Sequence, residues 1–87
     1  MKSIKHYRRS INGLDRRIMK MFVKRYKSVD CIGKLKKKEG KAVVDNKREN
    51  DILRKIEKLN TGSKIKNYIT TIYRTVFSAS YTIEKEE

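Results

Sequence analysis

The sequence predicts an all-α protein: three helices, one long and two shorter, in a single domain spanning residues 1–87. Three observations predict it. Proline is absent, while the helix formers Lys, Arg, Glu, Ile and Leu are abundant. From about Ser3 to Lys37, apolar residues recur at heptad spacing. Two later stretches repeat a helical period, each opening near a residue suited to capping.

The heptad positions of the first stretch are Ile4, Tyr7, Ile11, Leu14, Ile18, Met21, Arg25, Ser28, Ile32 and Leu35, and eight of these ten are apolar. Arg25 and Ser28 interrupt the stripe near its middle. A guanidinium facing a packing surface is costly unless an anion meets it, so Arg25 is the first hint of a site. The helix makes a rod of roughly 50 Å. A compact globule of this size is only about 30 Å across. The rod must overhang its own domain with part of its stripe bare, and a second copy of the chain is the simplest cover. An intertwined homodimeric bundle is therefore expected; a solvated coiled-coil arm is the alternative. Gly13 and Gly33 lie inside this helix, where each costs about 1 kcal/mol relative to alanine. Close helix packing explains them most simply, although Gly33, one turn before Lys36, could instead leave room for a ligand. His6 belongs to a basic, frayed and solvated start.

The first helix should stop at Gly40, amid Lys34, Lys36, Lys37, Lys38 and Lys41, which read as a solvated basic run. A short extended piece, Ala42-Val43-Val44, leads into Asp45, a favoured N-cap for a helix from Asn46 to Leu59. That helix carries Ile52, Leu53, Ile56 and Leu59 at helical spacing. Asn60-Thr61-Gly62-Ser63 reads as a turn with Ser63 as N-cap. The last helix, about Lys64 to Glu84, has one stripe of Ile65, Ile69, Ile72, Val76 and Ile83. A neighbouring stripe runs Tyr73, Phe77, Ser80 and Glu84, again turning polar toward one end.

Hydrophobic content of 37% is modest for 87 residues, which favours burial shared between chains. The single cysteine, Cys31, has no internal partner; it suits a reducing cytoplasm and reads as a small apolar residue. No apolar run approaches a membrane span, and no signal-peptide core follows Lys2 and Lys5. A soluble, cytoplasmic protein is expected. The net charge of +14 attracts anions of any kind, and so sets the sign of a partner without identifying it.

Arg25 and Lys36 are eleven residues apart, three turns with about 20° of rotation, so they share a face some 16 Å apart. Arg8 is rotated about 100° from Arg25 and lies some 25 Å away. Arg8 cannot serve the same pocket within one chain, but in an antiparallel dimer it meets the middle of the partner's helix. Asp45, Arg48 and Glu49 fall within one turn at a helix start, where the amides and dipole favour anions. Ser80 and Glu84, at i and i+4, share a face of the last helix. Taken singly, these are ordinary surface or helix-start residues. Together they describe a pocket of cations, carboxylates and a hydroxyl that suits a small, doubly charged, hydroxyl-bearing anion.

The ordered set resembles the all-helical chorismate mutase family. Tyr7-Arg8-Arg9-Ser10-Ile11-Asn12-Gly13-Leu14-Asp15 is similar to that family's opening pattern, and Val23-Lys24-Arg25 with Ile32-Gly33-Lys34-Leu35-Lys36 to its arginine and later lysine. The stretch Gly40 to Glu49 is similar to its loop-to-helix segment. Ser80 and Glu84 fall where the family has serine and a glutamine or glutamate. Prolines frequent in the family's loop are replaced here by Ala42 and Asn46, and the positive charge is unusual for it.

The resemblance implies rearrangement of chorismate to prephenate in aromatic amino-acid biosynthesis (the shikimate pathway), with no cofactor, metal or covalent intermediate. By the same analogy Arg25 and the second copy's Arg8 clamp the two carboxylates with help from Ser80. Lys36 and Glu84 meet the ether oxygen and Glu49 the ring hydroxyl, with Asp45 and Arg48 supporting that wall. Glu84 donates only when protonated, which implies activity favouring lower pH. Isochorismate pyruvate-lyase activity on the same fold is one alternative. A small basic helical protein binding nucleic acid is another; it explains the charge but leaves Arg25, Ser80 and Glu84 without a task, so nucleic acid is not the expected partner. A non-catalytic partner subunit is a third, and the intact polar set argues against it.

Overall fold

The computed structural model describes all residues, 1–87, as three helices: α1 (Ile4–Glu39), α2 (Asn46–Glu57) and α3 (Ser63–Lys85). No strand is present. The helix starts and stops follow local chemistry. Ser3 caps α1, its side chain accepting from the His6 amide at 3.2 Å. Gly40 ends α1 in the left-handed region (φ 66°, ψ 27°), where a side chain would be strained. The Lys41 amide then reaches back to the Lys36 carbonyl at 2.8 Å and reverses the chain.

The connection after Gly40 bends at Val43 and is not extended through Ala42-Val43-Val44. Asp45 caps α2 as anticipated, accepting from the Arg48 amide at 3.0 Å. That helix ends at Glu57, two residues before Leu59, because the Leu59 amide tightens onto Ile56 as the turn begins. The expected cap of α3 is also displaced. Gly62 is the N-cap, without a side-chain bond, and its carbonyl accepts from the Lys66 amide, drawing Ser63 into the first turn.

Topology follows from the cross-helix contacts. Arg25 meets Ser80, Lys36 meets Glu84 and Lys37 meets Glu87, so α1 and α3 run in the same direction. Glu49 meets Tyr81 and Glu57 meets Lys66, so α2 runs back antiparallel to α3. α3 packs against both other helices, whereas α1 and α2 stand apart. Gly33 allows the closest approach: a Cβ built there would lie 2.9 Å from the Glu84 Cα. Close packing accounts for this glycine, and the ligand-room alternative does not hold. At the same junction Glu87 hydrogen-bonds Asp30, which lies above Lys34. The hydrogen bond shared with Glu87, and then Lys34 beside it, hold the Asp30 carboxyl below its ordinary value, while the Asp30 carboxylate pushes the Glu87 carboxyl up against the opposing pull of Lys34.

The core is small. Val29, Ile56 and Phe77 are the buried hydrophobic residues, and no large side chain is wholly enclosed. The molecule measures 56 × 25 × 15 Å with a radius of gyration of 16.3 Å, against about 12 Å for a compact chain of this length. The overhang anticipated for α1 is real: Ile4, Tyr7, Ile11, Leu14, Ile18 and Met21 are all exposed. Arg9, Arg16, Lys20, Lys27, Lys34 and Lys38 are exposed along the opposite side of the same helix.

Candidate active site

The gap between α1 and α2, floored by α3, is a cavity of about 290 Å³. That volume lies at the lower end for small-molecule sites, roughly 300–1,000 Å³. From α1 it is lined by Arg25, Ser28 and Lys36, from the start of α2 by Asp45, Arg48 and Glu49, and from α3 by Ser80, Tyr81 and Glu84. Val29, Ile32, Ile52 and Phe77 form its apolar wall. Seven of the eight residues singled out in the sequence therefore converge on one space. Arg8 does not: it lies on the exposed arm of α1 beside Ile4, Lys5, Arg9 and Asn12.

Each polar side chain is held by a nameable contact. Arg25 Nη1 donates to Ser80 Oγ at 2.5 Å, and the Ser80 hydroxyl donates to the Val76 carbonyl at 2.7 Å. The mid-seam guanidinium thus meets a hydroxyl and no carboxylate. Lys36 Nζ lies 2.6 Å from Glu84 Oε1 and donates to the Val43 carbonyl at 2.7 Å. The bend at Val43 is what brings that carbonyl back over α1. Lys36 and Glu84 are well shielded, with side chains 17% and 6% exposed. Glu84 Oε1 has the ammonium beside it as an ion-pair contact but lacks an aligned hydrogen bond, leaving a buried acceptor with unspent capacity. Arg25 and Arg48 form no ion pair within the chain, so two guanidinium groups face the cavity without a carboxylate.

Tyr81 was not among the residues expected from sequence. Its hydroxyl donates to Glu49 Oε2 at 2.7 Å and accepts from the Asp45 amide at 3.3 Å. Burial, and secondarily the Glu49 carboxylate, push the Tyr81 phenol above its ordinary value, so it stays protonated as a donor. The spacing offered a signal, since Tyr81 follows Phe77 by four residues and precedes Glu84 by three, placing it on the polar-ending stripe of α3.

Unpaired arginines in a partly apolar pocket are suited to a planar carboxylate, which matches the guanidinium fork. An ammonium beside a carboxyl group that donates when protonated suits an oxygen gaining negative charge. Glu49, steadied by the Tyr81 hydroxyl, offers a carboxyl oxygen to a hydroxyl donor. No three His, Cys, Asp or Glu side chains converge closely enough to share a metal ion. Beside Arg25 and Arg48 the cavity opens into a groove of about 430 Å³ between α2 and α3, walled by Ile52, Ile56, Leu59, Ile69 and Tyr73. No helix is long and apolar enough to cross a membrane.

The sequence model of the family described as chorismate mutase type II matches residues 7–85. No curated protein matches the chain.

Proposed function

The chain belongs to the chorismate mutase type II family, and on that premise we propose that it converts chorismate to prephenate as a homodimer, in the cytoplasm, as a step of aromatic amino-acid biosynthesis. The observation that carries the reading is the convergence of Arg25, Lys36, Asp45, Arg48, Glu49, Ser80 and Glu84 on one cavity from three helices. The rearrangement breaks an ether C–O bond as a C–C bond forms, with no net proton transfer. The enzyme's work is therefore to hold a compact conformer and stabilise charge on the departing oxygen.

In this reading Arg25, oriented by Ser80, binds one carboxylate. Lys36 and Glu84 meet the ether oxygen from the shielded end of the cavity, where Glu84 can donate only when protonated. Glu49 accepts from the ring hydroxyl, while Asp45 and Arg48 form the wall behind it. The second carboxylate falls to Arg8 of the second copy. Two features support the dimer. The exposed stripe from Ile4 to Met21 and the apolar groove beside Arg48 are both unpartnered in one chain. A core of three buried hydrophobic residues is also too small to hold 87 residues folded alone.

The test is to add chorismate to the purified protein and follow its loss and the appearance of prephenate. The reading requires turnover that falls on the order of 10³-fold in Lys36→Ala, the scale of removing one preorganised charge partner. Turnover of isochorismate with pyruvate release, and none of chorismate, would replace it with the lyase reaction. No turnover of either would overturn it.

A further inference from the structure

We propose that Tyr81 is a positioning residue that fixes Glu49 as the acceptor for the substrate's ring hydroxyl, and so sets the preference for a hydroxylated ring. This rests on the chorismate reading above. Tyr81 lies on α3 next to Ser80, yet its hydroxyl bonds across the cavity mouth to α2. One phenolic proton is available and two acceptors are near: Glu49 Oε2 at 2.7 Å and the Asp45 carbonyl at 3.4 Å. The shorter contact, to a carboxylate, takes the proton, and the Asp45 amide fills a lone pair of the phenol at 3.3 Å. A single hydroxyl thus ties together the cap of α2 and the residue one turn later.

Glu49 needs that tie. Its side chain has three rotatable bonds, and Arg25, Lys36 and Arg48 line the same cavity as competing partners. Either arginine could draw the carboxylate across the space that the substrate's own carboxylates require. The Tyr81 hydroxyl holds Oε2 against α3 and leaves the other oxygen free for a hydroxyl donor. A phenol is protonated at neutral pH, and burial pushes it further up, so it remains the donor to Glu49.

Tyr81→Phe removes the oxygen and keeps the ring, so packing is retained. With chorismate, kcat/KM should fall about tenfold, the scale of one charge-assisted hydrogen bond. With an analogue lacking the ring hydroxyl it should change by less than about twofold, on the same argument. In a Glu49→Gln background the substitution should add little further loss. Equal losses on both substrates, or losses that simply add in that background, would overturn the proposal and leave Tyr81 a structural residue. A readout without substrate separates this inference from the reaction itself: the Glu49 carboxyl carbon resonance should move in Tyr81→Phe. If it moves while the unsubstituted protein turns over no chorismate, the contact stands and the hydroxyl role falls with the reaction. If it does not move, Tyr81 does not hold Glu49, whatever the reaction.

Discussion

The two halves of α1 carry one heptad pattern, but only the second is met by another element of the chain. In the second half Val29 is 6% exposed, Gly33 is buried against α3, and Arg25 and Lys36 face a lined cavity. In the first half Leu14 is 53% exposed and Ile4 71%, with no element of the chain lying over them. The stripe itself stays open in both halves, with Ile32 46% and Leu35 54% exposed; what α3 buries in the second half is the neighbouring face, at Val29 and Gly33. The difference lies in reach. α3 runs parallel to α1 and meets it only from about Phe22 onward, so nothing within 87 residues covers the remaining length. A heptad stripe announces that a partner exists; it does not say whether that partner is the same molecule.

The largest expected effect would break the distinction by joining the halves through a second chain. Arg8→Ala and Arg25→Ala should each lower chorismate turnover by about 10² or more, the cost of losing one oriented charge at a reacting anion. Mixed after co-refolding, the two variants should regain about a quarter of full activity, because half the dimers are mixed and one of their two sites is intact. No recovery would place Arg8 outside the site. Next, Leu14→Glu should abolish the dimer and lower the melting temperature sharply, read by sedimentation and calorimetry. At a solvated position the same change would stay within about 0.5 kcal/mol. That outcome would make the first half of α1 a bare arm.

The site half has its own pH signature. Since Glu84 donates only when protonated, activity should rise as pH falls. Glu84→Gln, a donor at every pH, should flatten that profile, and an unchanged slope would remove Glu84 from the ether oxygen. The two glycines sharpen the comparison at smaller scale. Gly33→Ala forces its Cβ to 2.9 Å from the α3 backbone and should cost about 1–3 kcal/mol by chemical denaturation. Gly13→Ala meets only the end of the Arg16 side chain, at 3.9 Å, and should gain up to about 1 kcal/mol. A loss at Gly13 would instead mark a close crossing by a second helix. The smallest effect is general: with a charge of +14, moderate salt should raise the melting temperature by a few degrees through screening.

Three helices, the stop at Gly40 and the start at Asp45, the excess length of α1 and the placing of Arg25 and Lys36 on one face are legible in the sequence, because each depends on contacts within a few turns of one helix. The end of α2 and the cap of α3 lie one or two residues from where the sequence puts them, and Ala42-Val43-Val44 bends where the sequence predicts an extended piece, because hydrogen bonds in tight turns override propensity. Only the tertiary structure decided that Gly33 serves packing, that the Val43 carbonyl holds Lys36, and that Tyr81 reaches from α3 to the start of α2. Those are contacts between different elements, some of them across more than thirty residues. Their geometry is set by how closely the helix axes approach, a quantity that no helical period encodes.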